Sequence, residues 1–466
     1  MTTAAATTSE RYPPQVKYIV GNEACERFSF YGMRSVLVVY MTGYLLYPDT
    51  EAKEGYHLFM MVTYLTPLLG GWIADRFWGR YKTILWISLF YVLGHLTLAL
   101  WESRAGFITG LVLITLGAGG IKPCVSAFVG DQFTPDQKAM MQRVYGWFYW
   151  VINLGSASAK LLIPWLLRRH GPAVAFAVPG IFMAIATLVF WAGTRHYVRA
   201  PPSGPNPHGF LNVLWSAARR AGTHRAGESW LDTARQVHPA EAVDGARAVL
   251  RIIGVFAAVT IFWALFDQTG SSWVLQGKQL IGMLGPFTLG GTVIGPWELD
   301  AAQLQALNPF LVMALVPLFT WVVFPALARR GVSLAPLTKM TAGMFLAVLS
   351  FVAAAAVQWR IDGGHPPGLL WQFPQYLLLT TAEVLVSVTG LEFSYTQAPR
   401  SMRSTIMSIW FLTTFLGNLL TFMVQFVRLS GAAYFGFFAL LMLLAAFGFR
   451  TMARRYTATG PAGGTR

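Results

Sequence analysis

Apolar stretches of roughly 17–25 residues recur from one end of the chain to the other, set apart by short polar segments. At 1.5 Å of rise per residue, such a stretch crosses about 30 Å of hydrocarbon as a helix. Inside lipid the backbone must satisfy its own hydrogen bonds, which leaves the helix or the closed barrel. Runs this long, without apolar–polar alternation, choose the helix. The pattern predicts twelve spans, near 17–46, 55–75, 83–101, 106–129, 142–166, 172–193, 249–270, 306–328, 336–358, 372–395, 404–427 and 432–452. The expected class is an all-α integral membrane protein.

Six spans, a polar insert and six more spans divide the chain into residues 1–194, a linker 195–248 and residues 249–466. The linker opens with RHYVRAPPSGPNPHG, whose Pro and Gly content forbids a continuing helix. FLNVLWSAARRA and ESWLDTARQV follow, with apolar residues at helical spacing among arginines, and read as short helices on the cytoplasmic surface. The Gly- and Pro-broken loop GKQLIGMLGPFTLGGTVIGPWELDAAQLQALN is placed outside. The opening MTTAAATTSERYPP lacks the charged-then-apolar pattern of a cleaved signal, so the first span is expected to stay. Cys25 and Cys124 fall in separate spans without metal-ligand spacing and read as packing residues.

Of the 466 residues, 55% are hydrophobic and 12% charged, about half the charge of a soluble domain. The net charge of +15 could suggest nucleic acid. With both termini inside, however, the Lys and Arg outside the spans concentrate in the inner loops, so the surplus is a topology signal and no nucleic-acid partner is expected. Arg27, Arg34, Lys122 and Lys160 stand inside spans.

A charge at the bilayer centre costs at least ~2.5–3.5 kcal/mol, so each one needs a partner, water or a task. Span one, GNEACERFSFYGMRS, holds the densest set. Glu23, Arg27, Phe30 and Arg34 follow i, i+4, i+7, i+11, flanked by Glu26 and Tyr31, and so share one helical face. That face must look into a protein cavity. Two acids beside one Arg suit a proton carrier; a salt bridge that fixes helix packing is the alternative. Other spans supply Lys122, Asn153, Asp267 and Glu383. Helix rise puts Glu23, Glu26, Arg27, Lys122, Asn153 and Glu383 in a central layer, and Arg34, His57 and Asp267 nearer the outside. His57 either titrates with that acid and Arg or is a hydrated interfacial residue. His95 has no such company and reads as structural. The chain carries no His-Glu-x-x-His, no Ser-Lys or Asp-Asp pair matched in depth and no phosphate-binding Gly loop, so an enzyme is not expected.

The loop GGWIADRFWGRYKT, with Gly71, Asp75, Arg76, Gly79 and Arg80, resembles the inner-loop motif of the major facilitator superfamily. That implies its fold of two six-helix bundles. E23-A-C-E26-R27-F-S-F30-Y31-G32 is similar to the Glu-x-x-Glu-Arg-Phe-x-Tyr-Tyr-Gly signature of the proton-coupled oligopeptide transporters within that superfamily. Phe30 stands where that signature has Tyr, which removes a hydroxyl. GAGGIKPCVSAFVGDQF, FYWVINLGS, FWALFDQTGSSW, SVTGLEFSYTQAP and YHLFMMVTYLTPLLG also resemble the family, so the likeness covers essentially the whole chain. Only QWRIDGGHPPG occupies the place of the large outer domain of animal members, which suits a prokaryotic member.

The resemblance implies import of di- and tripeptides with protons, by a monomer in the bacterial plasma membrane with both termini cytoplasmic. No cofactor is expected, since the proton gradient supplies the drive. Glu23, Glu26, Arg27, Lys122, His57 and Asp267 would couple protons, and Arg34, His57 and Asp267 would form an outer gate. Arg27 and Lys122 would attract the peptide carboxylate, while Glu383, with Asn153 and Asn308, would hold the amino group. Tyr31, Tyr64, Trp263 and Trp410 would line side-chain pockets; ordinary core packing is the alternative for each. The rival cargoes are nitrate or another small solute in the same family, or a drug in the same superfamily.

Overall fold

The computed structural model describes residues 12–202, 204–223, 228–285, 287–289, 292–295, 297–332, 334–397 and 402–455, most of them helical. The opening segment read for a signal lies largely outside the described residues. The first half comprises α1 (Val16–Gly43), α2 (Asp49–Ile73), α3 (Gly79–Leu100), α4 (Arg104–Gly130) and α5 (Lys138–Ala192). Two glycines in the left-handed region turn the chain back on itself: Gly79 at φ +72° and Gly171 at φ +80°. The contacts of α1 show the second reversal. The hydroxyl of Tyr44, just past its end, donates to Leu167 O at 3.1 Å and its Tyr40 ring meets Phe176 edge-on at 4.9 Å, on either side of Gly171. Further back, Asn22 donates to Ala186 O at 3.0 Å. Both arms of α5 therefore run along α1.

The linker carries α6 (Phe210–Arg219), which buries Val213 and Ala217 against Leu231, Ala234, Val243 and Ala246 in a small core of its own. Of the two short helices predicted here, FLNVLWSAARRA forms α6. ESWLDTARQV forms a tight helical turn, Trp230–Gln236, started by the Ser229 and Asp232 caps.

The second half begins with α7 (Ala240–Phe266), which runs through the turn Asp267–Gly270 into α8 (Ser272–Lys278). The following loop is not irregular throughout. It holds β1 (Met283–Leu284), β2 (Phe287–Leu289), β3 (Thr292–Ile294) and β4 (Trp297–Glu298), with β1 antiparallel to β4 and β2 antiparallel to β3. Strands of two or three residues are too short to display a period of two, which is why the sequence pattern passes over them. Then come α9 (Leu307–Pro317), α10 (Phe324–Arg329), α11 (Pro336–Asp362), α12 (Phe373–Glu383), α13 (Thr389–Gln397), α14 (Arg403–Gln425) and α15 (Gly431–Arg455). Widened turns at Leu318–Val323 and Val384–Val388 join α9 to α10 and α12 to α13 as single passes.

Among the described residues, nine helical stretches are long and apolar enough to cross a membrane, and two of these, Asp49–Leu100 and Lys138–Arg195, double back. With the 28 residues of α1 this gives twelve passes. One large apolar core gathers residues between Val16 and Tyr197, joined by Leu275 of α8, and a second gathers residues between Val249 and Phe449. Large apolar side chains such as Trp86, Leu93, Leu188, Trp321 and Leu444 are left exposed on the outside. On a soluble surface they would be a liability; against lipid they are at home.

Candidate functional site

Among the polar side chains that interrupt the apolar interior, three groups contain ionisable residues from the predicted site. The first belongs to α1. Arg27 Nε lies 2.7 Å from Glu23 Oε1, the contact that i, i+4 spacing provides, and 2.9 Å from Glu26 Oε2. Only the Glu23 contact is an aligned hydrogen bond. Both oxygens of Glu26 and Oε2 of Glu23 are buried without an aligned donor. The Tyr91 hydroxyl of α3 stands against Glu26 as an electrostatic and hydrogen-bonding neighbour, short of an aligned hydrogen bond. Lys122, on the Gly-flanked face of α4, sets Nζ 3.7 Å from the centre of the Phe30 ring and 4.7 Å from that of Tyr64. Cation–π contacts of this kind are worth about 2 kcal/mol when desolvated, and they leave the ammonium donors unspent. With all four groups ionised the cluster is formally neutral; one added proton makes it positive.

The second group faces it from the other half. Glu383 ends α12 just before the widened turn, and its Oε2 accepts from Asn308 Nδ2 at 2.7 Å. Asn308 Nδ2 also lies 3.2 Å from Thr380 Oγ1. Lys160 of α5 interacts electrostatically with Glu383 across the gap, and its Nζ stands 5.2 Å from the Tyr31 ring centre. Trp410 meets Phe256 at 5.2 Å and Trp263 at 6.1 Å, and the Trp263 indole N–H is buried without an acceptor. Tyr64 reaches across to Phe411 at 6.4 Å. The Asn153 amide donates to Tyr149 O of its own helix at 2.8 Å, and among the described residues no hydrogen bond joins it to Glu383.

The third group is a complete network between the halves. Arg34 Nη2 donates to Asp267 Oδ1 at 2.6 Å, and Arg34 Nε donates to the Tyr56 hydroxyl at 2.7 Å. Asn418 Nδ2 donates to Asp267 Oδ2 at 2.6 Å, which leaves Asn418 Oδ1 to accept from His57 Nδ1 at 2.8 Å. With the proton on Nδ1, His57 Nε2 accepts from the Ser271 hydroxyl at 2.9 Å. A second proton on His57 would force that hydroxyl to reverse. Four further ties lie at the same end: Gln305 to Ser35 O at 3.0 Å, Lys278 to Thr42 at 3.0 Å, Gln303 to Leu161 O at 2.9 Å, and Arg168 with Glu298 at 3.1 Å. The halves are thus latched at the end that carries the β-strands. Toward the linker end a cavity of about 820 Å³ runs between them, from Lys122 to Asp75 and Arg80, with Ser408 and Phe411 opposite.

A sequence profile of the POT family (PTR2) matches residues 81–433, well over half of the chain. The chain belongs to the POT family. Its POT relatives include solute carrier family 15 member 2 of Rattus norvegicus, 37% identical over 401 residues that cover 81% of this chain and 54% of the relative. Peptide transporter 3 of Caenorhabditis elegans is 38% identical over 380 residues, 77% of this chain and 53% of that one. The chain spans about half the length of these curated relatives. Among solved structures it is similar to an auto-inhibited POT family peptide transporter, with TM-score 0.87, 41% identity, and coverage of 97% of this chain and 99% of the other. The fold is that of the major facilitator superfamily, twelve helices in two bundles.

Several POT side chains in these groups escape a sequence reading. Asn418 and Ser271 look like any small polar residue within an apolar helix. Tyr56 shows in the sequence only as half of a Tyr-His pair, with no sign of Arg34 as its partner. Lys160 stood out as a charge within a span, but its counterpart Glu383 lies 223 positions later. His95, read as structural, hydrogen-bonds Ser29 at 2.8 Å.

Proposed function

We propose that this chain is a symporter that carries di- and tripeptides inward together with protons by alternating access. The observation that carries the proposal is a pair of unlike buried sites, one from each half, that share Tyr31 as an electrostatic neighbour. One half offers Arg27 and Lys122 beside carboxylates that lack aligned donors, and the other offers Glu383 held by Asn308. A zwitterionic peptide has one charge at each end and few other constant features, so an acid facing two cations fixes its backbone and leaves side chains loosely read. A proton on Glu23 or Glu26 leaves the first cluster positive, ready for the peptide carboxylate. Loss of that proton restores neutrality and favours release. An acid at Glu383 disfavours an anion such as nitrate as cargo.

Arg34, His57 and Asp267 act as the outer gate, and proton uptake there loosens the latch. Tyr31, Tyr64, Trp263 and Trp410 shape the side-chain pockets, and Asn153 and Asn308 join Glu383 in holding the peptide amino group. The termini and linker lie in the cytoplasm, so the arrangement described is inward-facing. Residues 1–194 and 249–466 move as bundles about the linker 195–248. The transporter works as a monomer in the plasma membrane of a prokaryote, a reading supported by the short connection between α11 and α12. It uses the proton gradient and no cofactor. Labelled dialanine counterflow in proteoliposomes, with and without an imposed pH step, tests the proposal. Counterflow competed by unlabelled dipeptide, and accumulation only with the acid side outside, are expected; failure of dialanine to exchange removes the peptide assignment.

A further inference from the structure

At the linker end of the second half a cleft of about 730 Å³ opens between α11, α13 and α15, lined by a separate set of residues from those facing the transport cavity. Its two sides differ in chemistry. Leu337, Ala342, Phe345 and Phe393 make an apolar wall, and Arg450 and Arg454, one turn apart on α15, stand at its mouth. Neither guanidinium takes part in any ion pair among the described residues. Gln397, also in the lining, holds Oε1 buried with no donor. The cleft therefore presents two cations and one orphan acceptor beside a groove for hydrocarbon.

The apolar wall continues onto the lipid-facing surface. Phe345 meets Phe447 edge-on at 5.4 Å, and Phe447 and Leu444 are 51% and 61% exposed on the outer side of α15. The 25 residues of α15 extend about 38 Å, enough to cross the hydrocarbon and set its last turn, with Arg450 and Arg454, at headgroup level. A soluble anion would use the arginines and leave the groove empty. A peptide in the transport cavity has no path to a groove that faces lipid.

We propose that this cleft holds one anionic glycerophospholipid, with its phosphate between Arg450 and Arg454 and an acyl chain along Leu337, Ala342 and Phe345. A headgroup hydroxyl, as in phosphatidylglycerol, donates to Gln397 Oε1. Charge complementarity selects the anionic headgroup.

The test uses the full chain in mild detergent, with native mass spectrometry and thermal unfolding read side by side. Phosphatidylglycerol is expected to be retained as one molecule per chain and to raise the melting temperature. Phosphatidylcholine should bind on the order of tenfold more weakly, and inorganic phosphate should not stabilise at all. Arg450→Gln/Arg454→Gln, at two exposed positions, should lower phosphatidylglycerol retention about tenfold. Ala342→Trp, also at an exposed position, fills the groove while sparing both arginines and should cost a similar factor. The site is overturned if the double variant keeps the lipid as the parent chain does, or if the two lipids bind alike. Stabilisation by inorganic phosphate equal to that by the lipid, or undiminished retention in Ala342→Trp, overturns it as well.

Discussion

The Glu23–Glu26–Arg27 cluster is largely buried and the Arg34–Asp267–Asn418–His57 network wholly so, and both start from α1, yet they are finished to different degrees. Seven residues separate the two arginines. In the network, both oxygens of Asp267 and both ring nitrogens of His57 have partners, supplied by the two halves together. In the cluster, three carboxylate oxygens have no aligned donor, and all three α1 residues come from one half. A satisfied buried network holds one arrangement, whereas an unsatisfied one is costly until something arrives to complete it. The contrast suggests a latch beside a site that waits for protons and substrate.

The sharpest way to break this contrast is to remove the unsatisfied acid. Glu26→Gln keeps the shape and deletes the charge, so pH-driven accumulation of dialanine should fall to the level of protein-free liposomes while counterflow continues. Accumulation that survives would mean the cluster is packing alone. Next in size is the latch. Arg34→Ala strands Asp267 in a buried setting, and losing one member of such a pair costs about 3–5 kcal/mol. Spin labels at Glu51 and Arg428, on opposite halves at the latched end, should report a new, longer distance in that variant. The double variant Arg34→Met/Asp267→Leu removes both charges and should move the distribution far less, because no charge is left alone. An equal shift in both variants would show that the pair contributes no latch.

Glu383→Ala tests the buried acid of the second half. Loss of a charged hydrogen-bonding partner is worth about 1–3 kcal/mol, so unlabelled dipeptide should compete roughly 5- to 150-fold more weakly. Unchanged competition would move the amino-group site elsewhere. Asn418→Ala should act between these and the linker: it removes the donor to Asp267 and the acceptor for His57 together, at about 1–3 kcal/mol to the latched state. The same spin-label distance should broaden without losing its main peak.

How much could be read beforehand follows from how local each feature is. The twelve passes are written in apolar runs that need no partner to be seen. The stripe Glu23, Glu26, Arg27 lies within five consecutive residues, so helical spacing alone predicts a shared face. The latch is different, since His57 and Asn418 are 361 residues apart and their contact exists only after the halves close. An isolated Asn or Ser in an apolar helix gives no signal of that. Asn153 is a different case: its amide donates to Tyr149 O of its own helix, as short polar side chains in helices do, so only the family resemblance points it toward substrate.

The smallest effect is expected where charges are most numerous but wet. In the linker, Asp232 accepts from Arg247 and Arg235, and Asp244 joins them, all at least partly exposed. The hydrogen bond from Arg247, with help from the Ser229 backbone and Arg235, holds the Asp232 carboxyl below its ordinary range. A depressed folded value means the contribution is present in full above the unfolded pKa of about 3.9, and fades as pH falls through the folded value. Between pH 5 and 8 the linker should therefore be indifferent to pH. Asp232→Asn should cost only about 0.2–1 kcal/mol, because solvent already screens these pairs. Limited proteolysis between α6 and α7 should then quicken by a few-fold at most, with dialanine counterflow unchanged. If Asp232→Asn instead impairs transport as strongly as Arg34→Ala, the linker is part of the gating machinery, and burial no longer separates the charges that move the protein from those that merely cover it.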